Sequence, residues 1–335
     1  MTTTAEVIII GAGLSGLMAA RTLMQAGKHV LVLDKGRSVG GRMATRRIGG
    51  GQADHGAQFF TVRDPAFAAH VERWLADGLA FEWSRGWGNG SLDDARDGHP
   101  RYAVRGGMNA LTRHLAAGVE TRVNVEIGAV RCDAHAWTAT DTHGNAYSGG
   151  ALLLTPPIPQ SLKLIDNGGV RLDDGERRAL EQIAYEPCIA VMLQVDGETR
   201  LPAPGALQRP DAPISWIADN RSKGLSASTL ITAQTHPDYS RAWYDQPDDA
   251  VLEAVRAELT PLLSDDALIT HAEVKRWRYS RPVTVYPERC LVAAGQPIPL
   301  VFAGDAFGGP RVEGAVLSGL AAGAALNARI GSLKG

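Results

Sequence analysis

Three glycines and an acid carry the first chemistry in this chain. Gly11, Gly13 and Gly16 follow the apolar run Val7-Ile8-Ile9-Ile10, and Asp34 follows Leu31-Val32-Leu33. The order is strand, glycine turn, helix, strand and acidic stop. Gly11 permits the tight turn, Gly13 lets backbone approach a pyrophosphate, and Gly16 lets the helix lie close to the sheet. The helix start, with Ala12, Leu14 and Ser15, offers free N–H groups and a positive dipole end to phosphates. Asp34 can accept ribose hydroxyls. These residues predict a bound adenine dinucleotide.

Two further motifs narrow the cofactor. Gly40-Gly41-Arg42 places a compact backbone nest beside a fixed cation, which suits a pyrophosphate. Near the other end stand Gly304-Asp305 and Arg311-Val312-Glu313-Gly314. Asp305 can accept from a ribityl hydroxyl. A helix starting near Val312 would point its dipole at the N1–C2=O edge of an isoalloxazine. Between these motifs, Gly56-Ala57-Gln58-Phe59 would let backbone pass close to a flat ring. Lys35 and Ile127 are further candidate contacts. Together the motifs predict FAD, with all of these residues except Gly40 and Gly56 as its binding set.

These residues need elements to hold them. The spacing predicts a helix over 14–26 closed by Gly27, a strand over 29–33, and a helix opened by Asp64-Pro65 and running to 75. A helix follows Gly106-Gly107, then a strand over 121–125 and an antiparallel meander over 127–132 and 136–141. The apolar run 151–155 predicts a strand buried on both faces. From about 158 the texture changes. Strand-like runs at 188–195, 214–218, 229–232 and 272–279 alternate with helices over 174–184 and 247–262. The run 300–305 then returns to the first sheet. The expectation is a discontinuous FAD-binding domain of residues 1–62, 101–157 and 290–335, with a substrate domain of 63–100 and 158–289. The stretch 78–100 has no reading. The substrate domain offers Trp216, Asn220, Arg221, His236, Trp277 and Tyr279 as candidate substrate contacts. Trp277 and Tyr279 share a strand face.

Composition bounds the function. The chain has 335 residues, is 44% hydrophobic and 21% charged, and carries a formal net charge of −2. No basic run points to nucleic acid or an anionic membrane. Cys132, Cys188 and Cys290 form no metal or disulfide spacing, so a reducing cytoplasm is expected. The apolar run over 7–26 lacks the basic lead of a signal peptide. No metal site, Ser-His-Asp arrangement or membrane span is expected. Oligomeric state is not legible.

The motifs in this order resemble the FAD-dependent amine-oxidase superfamily. Gly41-Arg42-Met43, Asp54, Gly56 to Thr61, Asp219-Asn220-Arg221-Ser222-Lys223, Arg276-Trp277, Tyr279, Arg281-Pro282, Gly304-Asp305, Arg311 to Ala315 and Leu317-Ser318-Gly319 are similar to bacterial renalases. The resemblance implies an α/β fold: a glutathione-reductase-like FAD-binding Rossmann domain with an inserted mixed-sheet substrate domain, in a p-hydroxybenzoate hydroxylase-like topology. It implies noncovalent FAD and oxidation of 2-dihydro and 6-dihydro isomers of NAD(P)H to NAD(P)+. Hydride would pass to flavin N5, with no catalytic side chain, and O2 would reoxidise the flavin to give H2O2. The partners are then a small-molecule dinucleotide and O2. The alternative is an amine oxidase or desaturase on the same scaffold. The run Ala306 to Pro310 departs from the Trp-Cys pair of pseudomonad relatives and leaves isomer preference open.

Overall fold

The run Val7–Ile10 is buried at every position and has strands on both edges: Leu152–Leu154 on one and Val30–Leu33 on the other. In the computed structural model, which describes residues 3–93 and 96–332, this parallel core extends outward. The full order is Leu291–Val292, Leu300–Phe302, Leu152–Leu154, Val7–Ile10, Val30–Leu33 and Glu120–Arg122. Only the first of these pairs antiparallel. Continuous apolar runs with both faces covered are the signature of such a sheet.

This sheet belongs to the first of two compact units, formed within Met1–Gly41, Thr112–Ala184 and Pro282–Gly335; the second is Arg42–Leu111 with Tyr185–Arg281. These boundaries differ from those read off sequence texture. Residues 42–62 and 101–111 pack with the second unit, and 158–184 and 282–289 with the first.

The first unit also holds the meander Ile127–Cys132, Trp137–Asp141 and Ala146–Gly149, to which Thr3–Ala5 adds in parallel. Asp141 sets its turn by accepting from the N–H groups of His143 and Asn145. The helix Ile158–Gly168 follows Pro156-Pro157 directly. Its prolines occupy the start, where a missing N–H costs nothing, so the pair opens a helix as well as ending a strand.

In the second unit the sheet runs Leu268–Pro282, Tyr185–Asp196, Leu230–Thr235, Ile214–Asp219, Ala206–Gln208 and Gly88–Asn89. Alternate residues of Tyr185–Asp196 face opposite ways. Ile189, Val191, Leu193 and Val195 join the core formed with Val251, Val255 and Leu259 of the helix Asp248–Leu259. Met192 faces Ile48 and Ala53, on the hairpin Thr45–Ile48 and Gly51–Asp54. The uncharted stretch contains a second hairpin, Ala80–Gly86 with Arg96–Val104. Beside it, the helix Pro65–Ala76 is capped as its sequence predicts, Asp64 accepting from Ala66 N–H at 2.8 Å. Among the described residues no helix is long and apolar enough to cross a membrane.

Candidate functional site

The first glycine turn is built by contacts that only glycine tolerates. Gly11 has φ +103° and donates its N–H to Leu33 O at 2.8 Å. A Cβ there would sit 2.3 Å from Thr155 Oγ1, and one on Gly16 would sit 2.0 Å from Gly11 O. Gly13 differs: a Cβ on it meets nothing within 4 Å. It precedes the helix Leu14–Gln25 with no side-chain cap. The space above that helix end is therefore open. Ser15, buried in its first turn, has a hydroxyl with no hydrogen-bond partner. An open cradle, uncapped N–H groups and an orphaned hydroxyl together fit a pyrophosphate.

The neighbouring loops are tied to this turn. Asp34 accepts from Ala12 N–H and Gly36 N–H, each at 2.6 Å. The acid thus fixes the turn. Gly40 N–H donates to Ala12 O at 2.9 Å, and a Cβ on Gly41 would come 3.6 Å from Gly13 Cα. The nest therefore faces the first glycine loop. Val125 N–H donates to Asp34 O, which brings the segment leading to Ile127 alongside. Lys35 is exposed.

The last helix, Arg311–Ser332, lies against the first. A Cβ on Gly319 would meet Ser15 O at 2.3 Å, and one on Gly323 would meet Thr22 Cβ at 2.8 Å. Both indices rise together, so the helices are parallel. At 1.5 Å per residue, the start of the last helix projects about 10 Å beyond that of the first. Gly308, Gly309 and Arg311 precede or open it with φ of +68°, +142° and +82°. For Arg311, a non-glycine residue, that conformation is strained. Gly304 donates its N–H to Ser318 Oγ at 2.8 Å, and half-buried Asp305 follows. Val312 and Gly314 are buried and Glu313 is half-buried. Two helix ends offset along one face suit an elongated dinucleotide.

In the second unit the candidate residues have internal duties that sequence did not reveal. Asn220 is wholly buried; its amide accepts from Asp54 N–H at 3.2 Å and donates to Leu230 O and Thr232 Oγ1, both at 2.9 Å. It is a fastener between strands. Arg221 pairs with Glu198, which raises the guanidinium pKa. His236 caps the helix Pro237–Trp243, its ring accepting from Asp238 N–H at 3.3 Å. Trp277 donates to His55 O at 2.9 Å and stacks on the His55 ring at 5.4 Å. Tyr279 meets Tyr185 edge-on at 5.6 Å. Arg42 reaches the carbonyls of Tyr279 and Ser280 at 3.3 and 3.4 Å.

The centre of this unit is a buried ion pair. Lys223 Nζ lies 2.6 Å from Asp54 Oδ2, both side chains fully buried, and also donates to Gln58 O. Burial lowers the Lys223 pKa and the Asp54 carboxylate opposes that shift. Asp54 further accepts from Thr45 Oγ1 at 2.5 Å and Met108 N–H at 2.8 Å. Gln58 donates to Asp54 O at 2.6 Å, and Ala57 N–H to Arg42 O at 2.8 Å. The pair therefore holds the run 54–59 in place. Next to it, His55 has its pKa lowered from 6.5 to about 4, by burial first and then by Lys275 and Arg46. Both groups lay inside recognised motifs, but their pairing joins residues far apart in sequence. Trp216 packs with Phe59, Trp83 and Trp87, the last two from the stretch that had no reading.

None of the cysteines is activated. Burial pushes the Cys188 thiol up to about 12 and also raises Cys132 and Cys290, the latter half-buried. Among the described residues no group of His, Cys, Asp and Glu could hold a metal ion.

Comparisons with known proteins give a family match over most of the chain. The family described as flavin containing amine oxidoreductase matches residues 74–327, about three quarters of the chain. An NAD(P)-binding Rossmann-like domain matches residues 9–76. Putrescine oxidase of Kocuria rosea is 34% identical over 122 residues, which is 36% of this chain and 23% of that protein. (S)-6-hydroxynicotine oxidase of Paenarthrobacter nicotinovorans is 38% identical over 73 residues, 21% of this chain and 17% of that protein. The matched segments thus span less than a quarter of either relative. A solved cysteine variant of putrescine oxidase superposes with a TM-score of 0.74 at 16% identity, covering 98% of this chain and 100% of that one. At that identity the likeness is one of fold.

Proposed function

The chain belongs to the flavin containing amine oxidoreductase family and uses FAD, and from that premise we propose that it is an oxidase taking hydride from a carbon bonded to nitrogen. The family match over residues 74–327 carries the reading. Bound FAD would supply the hydride acceptor and the route to O2, with H2O2 as product. The chain's residues hold and orient. Gly13, Ser15 and the helix end would carry the pyrophosphate, Asp34 the adenosine ribose, and Asp305 the ribityl chain. The nitrogen lone pair stabilises positive charge as hydride leaves, so no side chain has to remove a proton from carbon.

The comparisons favour an amine as donor. A second reading, oxidation of 2-dihydro- or 6-dihydro-NAD(P), satisfies the same chemistry, because those ring carbons also adjoin nitrogen. One observation supports it. The runs that resemble renalases, 54–61, 219–223 and Trp277, pack into one network around Asp54 and His55.

Anaerobic stopped-flow mixing of the FAD-loaded protein tests both. Putrescine, benzylamine and borohydride-made NADH isomers are mixed in turn, and the oxidised-flavin band is followed. Bleaching by amines supports the first reading, and bleaching by the isomers supports the second. If neither class bleaches the band, or if purified protein binds no FAD, the proposal fails.

A further inference from the structure

Three buried donors without a hydrogen-bond partner fall in one cluster of the second unit: the indole N–H groups of Trp83 and Trp216 and the Nε–H of Arg101. Buried polar groups are paired with few exceptions, so a concentration of exceptions marks a place that a bound molecule would complete. The residues are neighbours. Trp216 meets Trp87 edge-on at 4.8 Å, and Trp83 lies 5.6 Å from Trp87 and 6.3 Å from Trp216. Arg101 lies 4.7 Å over the Trp87 ring. Lys223, bonded to the Gln58 carbonyl, lies 5.0 Å from the Trp83 ring. Trp216 is 7% exposed, while Trp83 is partly open to solvent.

The orphaned set is three donors. A flat group with acceptor oxygens satisfies them. An ammonium would find donors where it needs acceptors. Arg101 and Lys223 already stand over the rings of Trp87 and Trp83, their charges held by Asp97 and Asp54. We propose that Trp83, Trp216 and Arg101 form a subsite for a planar carboxamide or carboxylate carried by the substrate. This rests on the oxidase reading and adds that the substrate bears such a group besides its C–N bond. Simple aliphatic diamines are then poor substrates.

Titrating FAD-loaded protein with nicotinamide, benzoate and benzylamine tests this, with indole fluorescence and calorimetry as readouts. Nicotinamide or benzoate is expected to bind at least ten-fold more tightly than benzylamine. Trp216→Phe keeps most of the ring and removes the N–H. It should weaken the favoured probe about five-fold, the worth of one ordinary hydrogen bond. Because the lost donor had no partner, any fall in Tm should come only from the smaller ring, which packs with Phe59, Trp83 and Trp87. Trp83→Phe, at a more exposed position, should act the same way and guards against a folding defect in the first variant. Absence of any acceptor-probe binding, equal binding of benzylamine, or unchanged affinity in both variants overturns the subsite. Failure of the oxidase reading would look different: the probes would bind, but no substrate would bleach the flavin.

Discussion

At the residue scale, the Asp54–Lys223 pair and His55 decide how the second unit responds to mutation and pH. Lys223→Met leaves the Asp54 carboxylate buried without its cation, and should destabilise the protein by about 3–5 kcal/mol in denaturant unfolding. Adding Asp54→Leu should recover part of that loss, since the uncompensated charge goes too; a double variant no more stable than the single one would contradict this. His55 is held neutral by burial and by the cations of Lys275 and Arg46. Its folded pKa lies below its unfolded value, so the unfolded chain binds the extra proton first. Stability should therefore fall as pH drops from about 6.5 to about 4, by roughly 3 kcal/mol at most. In His55→Gln the measured unfolding free energy should be flatter over that interval. Asn220 belongs with these structural residues, because its amide joins Asp54 to Leu230 and Thr232. Its replacement by Ala should lower stability before it alters substrate binding.

At the element scale, glycines of the same unit separate by what surrounds them. Gly13→Val projects into open space above the first helix. It should leave the unfolding midpoint of flavin-free protein nearly unchanged and lower FAD affinity at least ten-fold by equilibrium titration. Gly319→Val drives a side chain into the backbone of the first helix. Overpacking of that kind costs about 1–3 kcal/mol and should appear in the flavin-free protein as well. Equal loss of stability in both variants would sink the distinction. The first glycine turn was legible because its turn, cradle and close-packing roles fall within six consecutive residues. The contact of Gly319 with Ser15 was not, since nothing local records which helix a small residue meets. The hairpin Ala80–Gly86 with Arg96–Val104 escaped for another reason. Its register shifts between Glu82 and Ser84 and again between Ser84 and Gly86, which breaks the two-residue alternation that identifies a strand. Aromatic residues within it, Trp83 and Trp87, were thereby lost as candidate site residues.

At the scale of the whole molecule, neither unit is one continuous stretch of chain. The second is made of Arg42–Leu111 and Tyr185–Arg281, and its buried pair takes one partner from each. Residues 185–281 expressed alone would leave Lys223 without Asp54 and Met192 without Ile48 and Ala53. That fragment should show no cooperative thermal transition by circular dichroism, and a sharp one would contradict the assignment. The first unit depends on distance along the chain even more. Its first helix leans on a helix that begins at Arg311, so about 300 residues must be made before the two can meet. At ribosomal rates of about 5–20 residues per second, that is a wait of roughly 15–60 seconds. During that time the side of the nascent helix that faces Gly319 and Gly323 has no mate. Close packing of the pair is consequently expected only once the last helix has left the ribosome.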